Sequence, residues 1–201
     1  MKKMNQKGFT LIELLAVITI MGILMLVAIP AMQRTIENSR RGTFANVAGT
    51  YINAIKTALS SDELKCGTNT GTNLPDGYYY YKFDSNAVTG QDLVEQGGKS
   101  SWGNKEVKGV IIIKKSTVNS KPKYEYSIMM VDSEGRGIGT ANDTGVPLTA
   151  VEDINLNRAI VNPKNGDGRK TFYDSFGNPT ASTTKWNGTD AVTSPTACSL
   201  T

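Results

Sequence analysis

The sequence predicts an α+β fold in which a long N-terminal α-helix packs on an antiparallel β-sheet with an irregular C-terminal lobe. Three observations support this fold class: an apolar segment near the N-terminus, an amphipathic stripe directly after it, and two β-rich runs separated by a turn. The chain has 201 residues, of which 39% are hydrophobic and 20 are Gly. This composition is sufficient for one medium-sized domain with a turn-rich core.

The apolar segment is long enough to cross a membrane. The twenty residues 14–33 carry no charge, and as a helix with a rise of ~1.5 Å they would span ~30 Å, the thickness of a bilayer's hydrocarbon core. A cleaved secretory signal has a shorter apolar region, of ~7–15 residues, and ends in a small-x-small site that residues 28–31 do not supply. Counting positive charges leaves the orientation open, because three basic residues flank each side: Lys2, Lys3 and Lys7, then Arg34, Arg40 and Arg41.

The helical pattern continues beyond this segment as an amphipathic stripe. Apolar residues recur there at i, i+3, i+4 and i+7 spacing: Phe44, Val47, Ala48, Tyr51, Ile52, Ile55, Ala58 and Leu59. We expect this face to pack on the sheet. We also expect the helix to stop between Ser60 and Gly67, with Gly67 as a left-handed cap.

The strongest strand signals lie in the middle of the chain. Residues 107–115 and 123–131 are β-rich and are joined by residues 117–122, which predicts an antiparallel hairpin. Residues 77–83 form another predicted strand, whose four consecutive tyrosines at 78–81 would alternate between the core and the outer face.

Other parts of the C-terminal region are expected to be less regular. Residues 65–76 are predicted to form a loop, and short strands are predicted at residues 154–161 and 170–173. From Asp132 onward, Gly, Asn, Thr and Asp dominate, so loops should prevail.

The junction before the apolar segment has a distinctive order of residues. Residues 7–14 read KGFTLIEL: the end of a short basic leader, a glycine, and a Phe that opens an apolar helix with one acid four residues later. This order resembles the prepilin signal of type IV pilins and their pseudopilin relatives, and the resemblance covers roughly the first fifty residues. It implies that a prepilin peptidase cuts between Gly8 and Phe9 and that the new N-terminus at Phe9 is methylated.

Glu13 is the acid in this motif. A charge at the centre of a membrane helix costs ~2.5–3.5 kcal/mol, and less near its end, so an intramembrane carboxylate suggests a partner. The resemblance implies that Glu13 pairs with the N-terminal amine of a neighbouring subunit and so aligns each incoming protomer. The alternative is a carboxylate that simply reaches the membrane interface.

Gly22 and Pro30 lie inside the predicted helix. Gly is ~1 kcal/mol less favourable than Ala there, and Pro removes a backbone hydrogen bond, so a kink at Pro30 is expected. The resemblance implies that residues 22–30 are an extensible segment of the filament. The alternative is that membrane helices simply tolerate both residues.

Cys66 and Cys198 are the only cysteines of the chain. Outside the cell they could pair and close a loop of over 130 residues, which the chain-entropy model values at ~5 kcal/mol. Many type IV pilins tether their C-terminal region with a disulfide, but usually around a shorter loop, so the pairing stays open.

The composition argues against catalysis, because the chain contains no His. Most Ser-His, Cys-His and zinc sites therefore lack a component, and we expect no enzyme activity, no cofactor and no metal. Asn165, Asp167 and Asp174 could offer oxygen atoms to calcium, but they lack a bidentate acid at the usual spacing, which favours an ordinary turn.

The net charge is +4, but Lys2, Lys3 and Lys7 carry most of it, and the rest of the chain is close to neutral. A lysine-rich region broken by Glu106 and Glu125 lies around the predicted hairpin. A solvated hairpin is the simpler interpretation. Binding of DNA would require several of these lysines on one face: Lys105, Lys108, Lys114, Lys115, Lys121 and Lys123.

Patterns and resemblance together divide the chain into four parts. These are a leader (1–8), the membrane-spanning and filament-core half of the helix (9–33), its amphipathic half (34–63), and a globular domain rich in sheet and loops (64–201).

The resemblance implies a structural subunit of an extracellular type IV pilus. The subunit would be stored as a single-pass protein of the cytoplasmic membrane and then assembled into a surface filament that supports adhesion, twitching motility or biofilm formation. Its implied partners are identical or related pilin subunits, the prepilin peptidase and the pilus assembly machinery, with any surface or DNA ligand unidentified. The alternatives are a pseudopilin of a secretion or competence apparatus, and a membrane-anchored enzyme or binding protein with an uncleaved signal.

Overall fold

The computed structural model describes residues 9–84, 93–94, 98–103, 105–139, 149–150, 161–162, 173, 185–186, 190–191 and 195–201. The chain divides into two compact units, the first ending at Ser39 and the second running from Arg40 to Thr201.

The helix α1 (Leu11–Ser60) has 50 residues and is continuous through Pro30. Within the first unit its large apolar side chains are exposed, from 86% at Leu11 to 49% at Ile36. By length and composition it could cross a membrane, and none of its most apolar stretch is buried inside the protein. An apolar surface of this extent needs a membrane or another protein to cover it.

In the second unit, one face of α1 is buried, as the amphipathic stripe predicts. Its buried residues are Phe44, Ala45, Ala48, Tyr51, Ile52, Ile55, Ala58 and Leu59. The single difference from the predicted set is that Ala45 is fully buried, whereas Val47 is only partly buried against the same core.

The end of α1 lies where the sequence predicts it, but a different residue forms the cap. Asp62 adopts the left-handed conformation with φ 59°, and the amide of Glu63 donates to the carbonyl of Ala58 at 3.0 Å. Asp tolerates this conformation, so the helix ends before Gly67 is reached. The prediction of Gly67 as the cap was therefore wrong: with φ 61°, it turns the chain between the first two strands.

The described residues contain eleven strands. They are β1 (Leu64–Cys66), β2 (Asn69–Thr70), β3 (Gly77–Asp84), β4 (Val107–Val118), β5 (Lys121–Asp132), β6 (Gly137–Ile138), β7 (Thr149–Ala150), β8 (Val161–Asn162), β9 (Lys185–Trp186), β10 (Asp190–Ala191) and β11 (Thr196–Leu200).

Nine of these strands form one sheet, in the order β2-β1-β11-β3-β4-β5-β6-β8, with β7 paired to β5. All of its pairs are antiparallel except β11 with β3, and β9 and β10 form a separate hairpin. The α+β class is confirmed. The C-terminal strand β11 was not predicted, and its position between β1 and β3 could not be derived from local sequence.

The predicted loop at residues 65–76 was wrong in part, because it contains most of β1, all of β2 and a short 3-10 helix (Gly71–Asn73). Pairing of β1 with β11, and of β2 with β1, makes strands of these short segments. The predicted strands at 154–161 and 170–173 lie largely outside the described residues. Val161 does belong to β8, whereas Tyr173 is not in a strand.

The predicted hairpin is confirmed as β4 and β5, but its strands are longer than expected. They pair from Val107–Asp132 to Val118–Lys121, which leaves only Asn119 and Ser120 in the turn. Both turn residues have positive φ, 51° and 61°, the conformation of the two-residue turns that match strand twist.

Ser120→Gly is expected to stabilise the protein by about 1 kcal/mol, because Gly adopts positive φ without the steric cost that Ser carries. Urea unfolding of both proteins measures the difference. Asn119 should be left unchanged as the better left-handed residue, and a destabilised Ser120→Gly variant would contradict the turn geometry.

Each face of the sheet carries a buried apolar cluster. Tyr79 and Tyr81 point into the core beneath α1, as the alternation predicts. Tyr78 and Tyr80 point away from the helix and are partly buried, since they pack on a second buried cluster formed by Val110, Ile112, Met129 and Val131.

Candidate functional site

The N-terminus of α1 is closed by a reciprocal cap. The Thr10 amide and hydroxyl both donate to Glu13 Oε2 at 2.8 Å, and the Glu13 amide donates to Thr10 Oγ1 at 3.3 Å. This is a capping box, in which an N-cap Thr and an acid three residues later satisfy free backbone amides. Sequence reasoning missed it, although Thr10-x-x-Glu13 carries the signature.

The cap gives Glu13 a local role in addition to the intermolecular one implied by the sequence. The carboxylate is exposed and sits in the first turn of the helix, where the partial positive charge of the helix end favours an anion. Phe9, 89% exposed, is the first described residue, so Gly8 lies outside the described part of the chain.

Gly22 and Pro30 both lie on exposed parts of α1. A Cβ added at Gly22 would meet no atom within 4 Å, so packing within the protein does not require glycine there. The extensibility of residues 22–30 and the kink at Pro30 stay predictions.

Cys66 and Cys198 form a disulfide, which resolves the pairing left open by the sequence. They lie directly opposite each other in β1 and β11, with their Cα atoms 4.1 Å apart. The bridge joins the end of the helical region to the C-terminal strand across 132 positions of sequence.

A buried carboxylate that the sequence did not point to holds the segment 98–103 in place. Asp132 is fully buried and accepts hydrogen bonds from Ser100 Oγ at 2.9 Å and from Arg136 Nε at 2.9 Å. Its other oxygen accepts the backbone amides of Glu134 and Arg136 at 2.9 and 3.0 Å. With its acceptor capacity used in this way, the carboxylate can be buried without a large penalty.

Aromatic contacts extend this network to the helix. The Arg136 guanidinium lies 5.3 Å from the centre of the Trp102 ring, which lies 5.6 Å from the ring of Phe44.

Glu134 is a further charged member of this cluster. The hydrogen bond from Lys105 lowers the pKa of Glu134, and the charge of Arg136 adds to this effect. This cluster is structural, since every group contacts another part of the same domain.

In the part of the chain that the structure describes, no group of three or more His, Cys, Asp or Glu residues is arranged so that it could hold a metal ion. Asn165, Asp167 and Asp174, the candidate calcium ligands, lie outside that part.

Comparison with known proteins identifies the family. A family model described as the prokaryotic N-terminal methylation motif matches residues 3–29. The type IV major fimbrial protein FimA of Dichelobacter nodosus is 40% identical over 93 residues, which cover 44% of this chain and 60% of FimA. Fimbrial protein EcpC of Eikenella corrodens is 32% identical over 122 residues, which cover 59% of this chain and 80% of EcpC. The chain belongs to the type IV pilin family.

Membership of this family confirms the resemblance that residues 7–14 indicate. The pilin is a structural subunit and not an enzyme. Its family implies processing by a prepilin peptidase, storage in a membrane and self-assembly into a surface filament. No solved structure gives a significant match to the pilin.

Proposed function

We propose that this pilin assembles through residues 11–36 of α1 into a helical type IV filament, with Glu13 paired to the amine of Phe9 in a neighbouring subunit. The observation that carries the proposal is the combination of an exposed apolar helix with a single carboxylate in its first turn. The apolar side chains supply a non-directional driving force for helix packing, whereas the charge pair sets the register.

Before assembly, the same helix is proposed to anchor the subunit as a single-pass protein of the cytoplasmic membrane. Cleavage between Gly8 and Phe9 creates the amine that Glu13 needs, and it removes the leader lysines Lys2, Lys3 and Lys7. Processing and assembly are thus linked, because Phe9 has no free amine to pair with Glu13 until the leader has been cleaved. The assembly machinery supplies the work of extraction, and the filament then serves adhesion, motility or biofilm formation.

The test is mass analysis of intact protein and N-terminal peptides from filaments sheared off the native cell surface. The expected result is a chain that starts at methylated Phe9 and is the main subunit of the sheared material. An unprocessed chain retained in the membrane would overturn the proposal and favour an anchored protein. A processed chain that is absent from long filaments would favour the pseudopilin alternative.

Gly22→Ala is expected to raise the force needed to extend single filaments, because Ala favours the helix over its melted form by about 1 kcal/mol. Gly42→Ala is the matched control. Gly42 is also a helix glycine with open space around its Cβ position, but it lies in the second unit, where α1 packs on the sheet. Optical-tweezer measurements compare the two variants, and an unchanged extension force for Gly22→Ala would exclude melting at residues 22–30.

A further inference from the structure

The uncharged part of α1 ends in a short charged segment. Residues 14–33 carry no charge, Arg34 follows them directly, and Glu37 comes three residues later. A helix of twenty residues is ~30 Å long, which is the thickness of a bilayer's hydrocarbon core. In a subunit that is stored in the membrane, as proposed above, Arg34 and Glu37 therefore lie at the depth of the lipid headgroups.

An open cavity of about 620 Å³ lies along this segment of the helix. The described residues that line it all belong to the first unit: Pro30, Gln33, Arg34, Glu37 and Asn38. At 3.6 residues per turn, these five positions fall within an arc of about 140° on one side of α1, so a single ligand can reach all of them. The volume lies in the range of about 300–1,000 Å³ that is typical of small-molecule sites.

The lining of the cavity changes from apolar to polar along the helix axis. Pro30 belongs to the uncharged span, whereas Gln33 and Asn38 offer amide groups that donate hydrogen bonds. Arg34 is exposed, and its planar guanidinium can bind a phosphate through two parallel hydrogen bonds. A phospholipid has the same order of polarity at the boundary between its acyl chains and its headgroup, which makes it a ligand of suitable chemistry.

The cavity carries one positive and one negative charge. Glu37 is half-buried and, three residues after Arg34, lies about 4.5 Å farther along the axis, away from the bilayer centre. A phospholipid with an ethanolamine headgroup has the complementary order, since its phosphate lies next to the acyl chains and its ammonium group lies two carbons farther out. Anionic lipids are attracted by clusters of basic residues, whereas here the charge of Glu37 offsets that of Arg34. The pair of charges thus matches a zwitterionic lipid.

We propose that this cavity binds one phospholipid with an ethanolamine headgroup from the outer leaflet, with Arg34 on its phosphate and Glu37 on its ammonium group. The site acts only if the subunit is stored in the membrane, and so it rests on the proposed function. Bound lipid fixes the depth of the stored subunit. Glu13 lies about 30 Å from Arg34 along the axis, so an Arg34 held at the outer headgroups keeps Glu13 at the inner edge of the hydrocarbon core. There the carboxylate can meet the amine of Phe9 without the cost of lying at the bilayer centre.

The test reconstitutes the full-length chain in nanodiscs that contain ethanolamine, glycerol and choline phospholipids in equal amounts. Native mass spectrometry then identifies the lipid that stays bound when the disc is removed. The wild type should retain one ethanolamine phospholipid, and Arg34→Gln should lower this retention roughly tenfold, because charge-assisted hydrogen bonds to the phosphate are lost. Glu37→Gln should abolish the preference for ethanolamine over choline lipid, whose ammonium group has no hydrogen to donate.

Arg40→Gln is the matched control, since it removes the same charge from an exposed position about 9 Å farther along the helix, beyond the residues that line the cavity. It should retain the ethanolamine lipid as the wild type does. Neither Arg34 nor Glu37 belongs to the second unit, so their substitution leaves its core intact. A wild type without bound lipid or with a preference for the glycerol lipid, equal retention by Arg34→Gln, equal loss in Arg40→Gln, or an unchanged lipid preference in Glu37→Gln would each overturn the proposal.

Filament assembly is scored in the same variants, by shearing filaments from cells, to keep the two proposals apart. Normal filaments from a chain that binds no lipid would refute the lipid site and leave the proposed function intact. Specific lipid binding by a wild type that forms no filaments would contradict the proposed function only. A wild type that does not insert into nanodiscs would contradict the membrane storage on which both depend.

Discussion

Glu13→Gln is expected to abolish filament assembly while leaving membrane insertion and leader removal intact. Gln is nearly the same size as Glu, and its side-chain oxygen can still accept the Thr10 amide, so the capping box is preserved. Only the negative charge is lost, and with it the attraction to the amine of a neighbouring subunit. Immunoblots of sheared and membrane fractions measure the outcome.

This substitution separates the capping role that the structure shows for Glu13 from the pairing role that we propose for it. If the carboxylate only caps the helix, Glu13→Gln should assemble normally. Thr10→Val supplies the converse control, because it removes the hydroxyl that bonds to Glu13 but keeps the charge. Loss of a cap costs about 1 kcal/mol of helix stability, which a membrane-embedded helix of this length can absorb, so Thr10→Val should still form filaments. Loss of filaments in Thr10→Val with normal assembly of Glu13→Gln would overturn the pairing role.

Periodic features of this chain could be predicted, because each depends on local sequence. The buried face of α1 follows from apolar spacing, although spacing cannot tell that Val47 lies at the edge of the stripe and is only partly buried. The β4–β5 hairpin likewise follows from two β-rich runs, but its length does not, since Asn119 and Ser120 lack the glycine that usually marks a two-residue turn.

Features that depend on distant residues could not be predicted. Asp132 is an ordinary polar residue in the sequence, and its partner Ser100 lies 32 positions away. The strand β11 is too short to be recognised, and its neighbours β1 and β3 belong to a different part of the chain. The capping box at Thr10 is a different case, because its signature, a Thr with an acid three residues later, is local and can be recognised in the sequence.

Reduction of the disulfide is expected to lower the free energy of unfolding of the globular unit by about 5 kcal/mol. The bridge spans 132 positions, and the chain-entropy model gives a loop of that size a value near this figure. We expect β11 to detach from the sheet first, because it pairs with β3 at only two positions and with β1 at three. Once unlinked, this strand is held by few hydrogen bonds, although it lies inside the sheet and joins β1 to β3.

Urea titration of the full-length chain in detergent, with and without reductant, measures the effect. Trp102 is a suitable fluorescent probe, because it is buried against Phe44 and is exposed when the unit unfolds. The variant with Cys66→Ala and Cys198→Ala should match the reduced wild type and show no response to reductant, which excludes an effect of reductant on other groups. If oxidised and reduced proteins unfold at the same urea concentration, sheet pairing alone holds β11, and the covalent link between the helix end and the C-terminal strand does not stabilise the pilin.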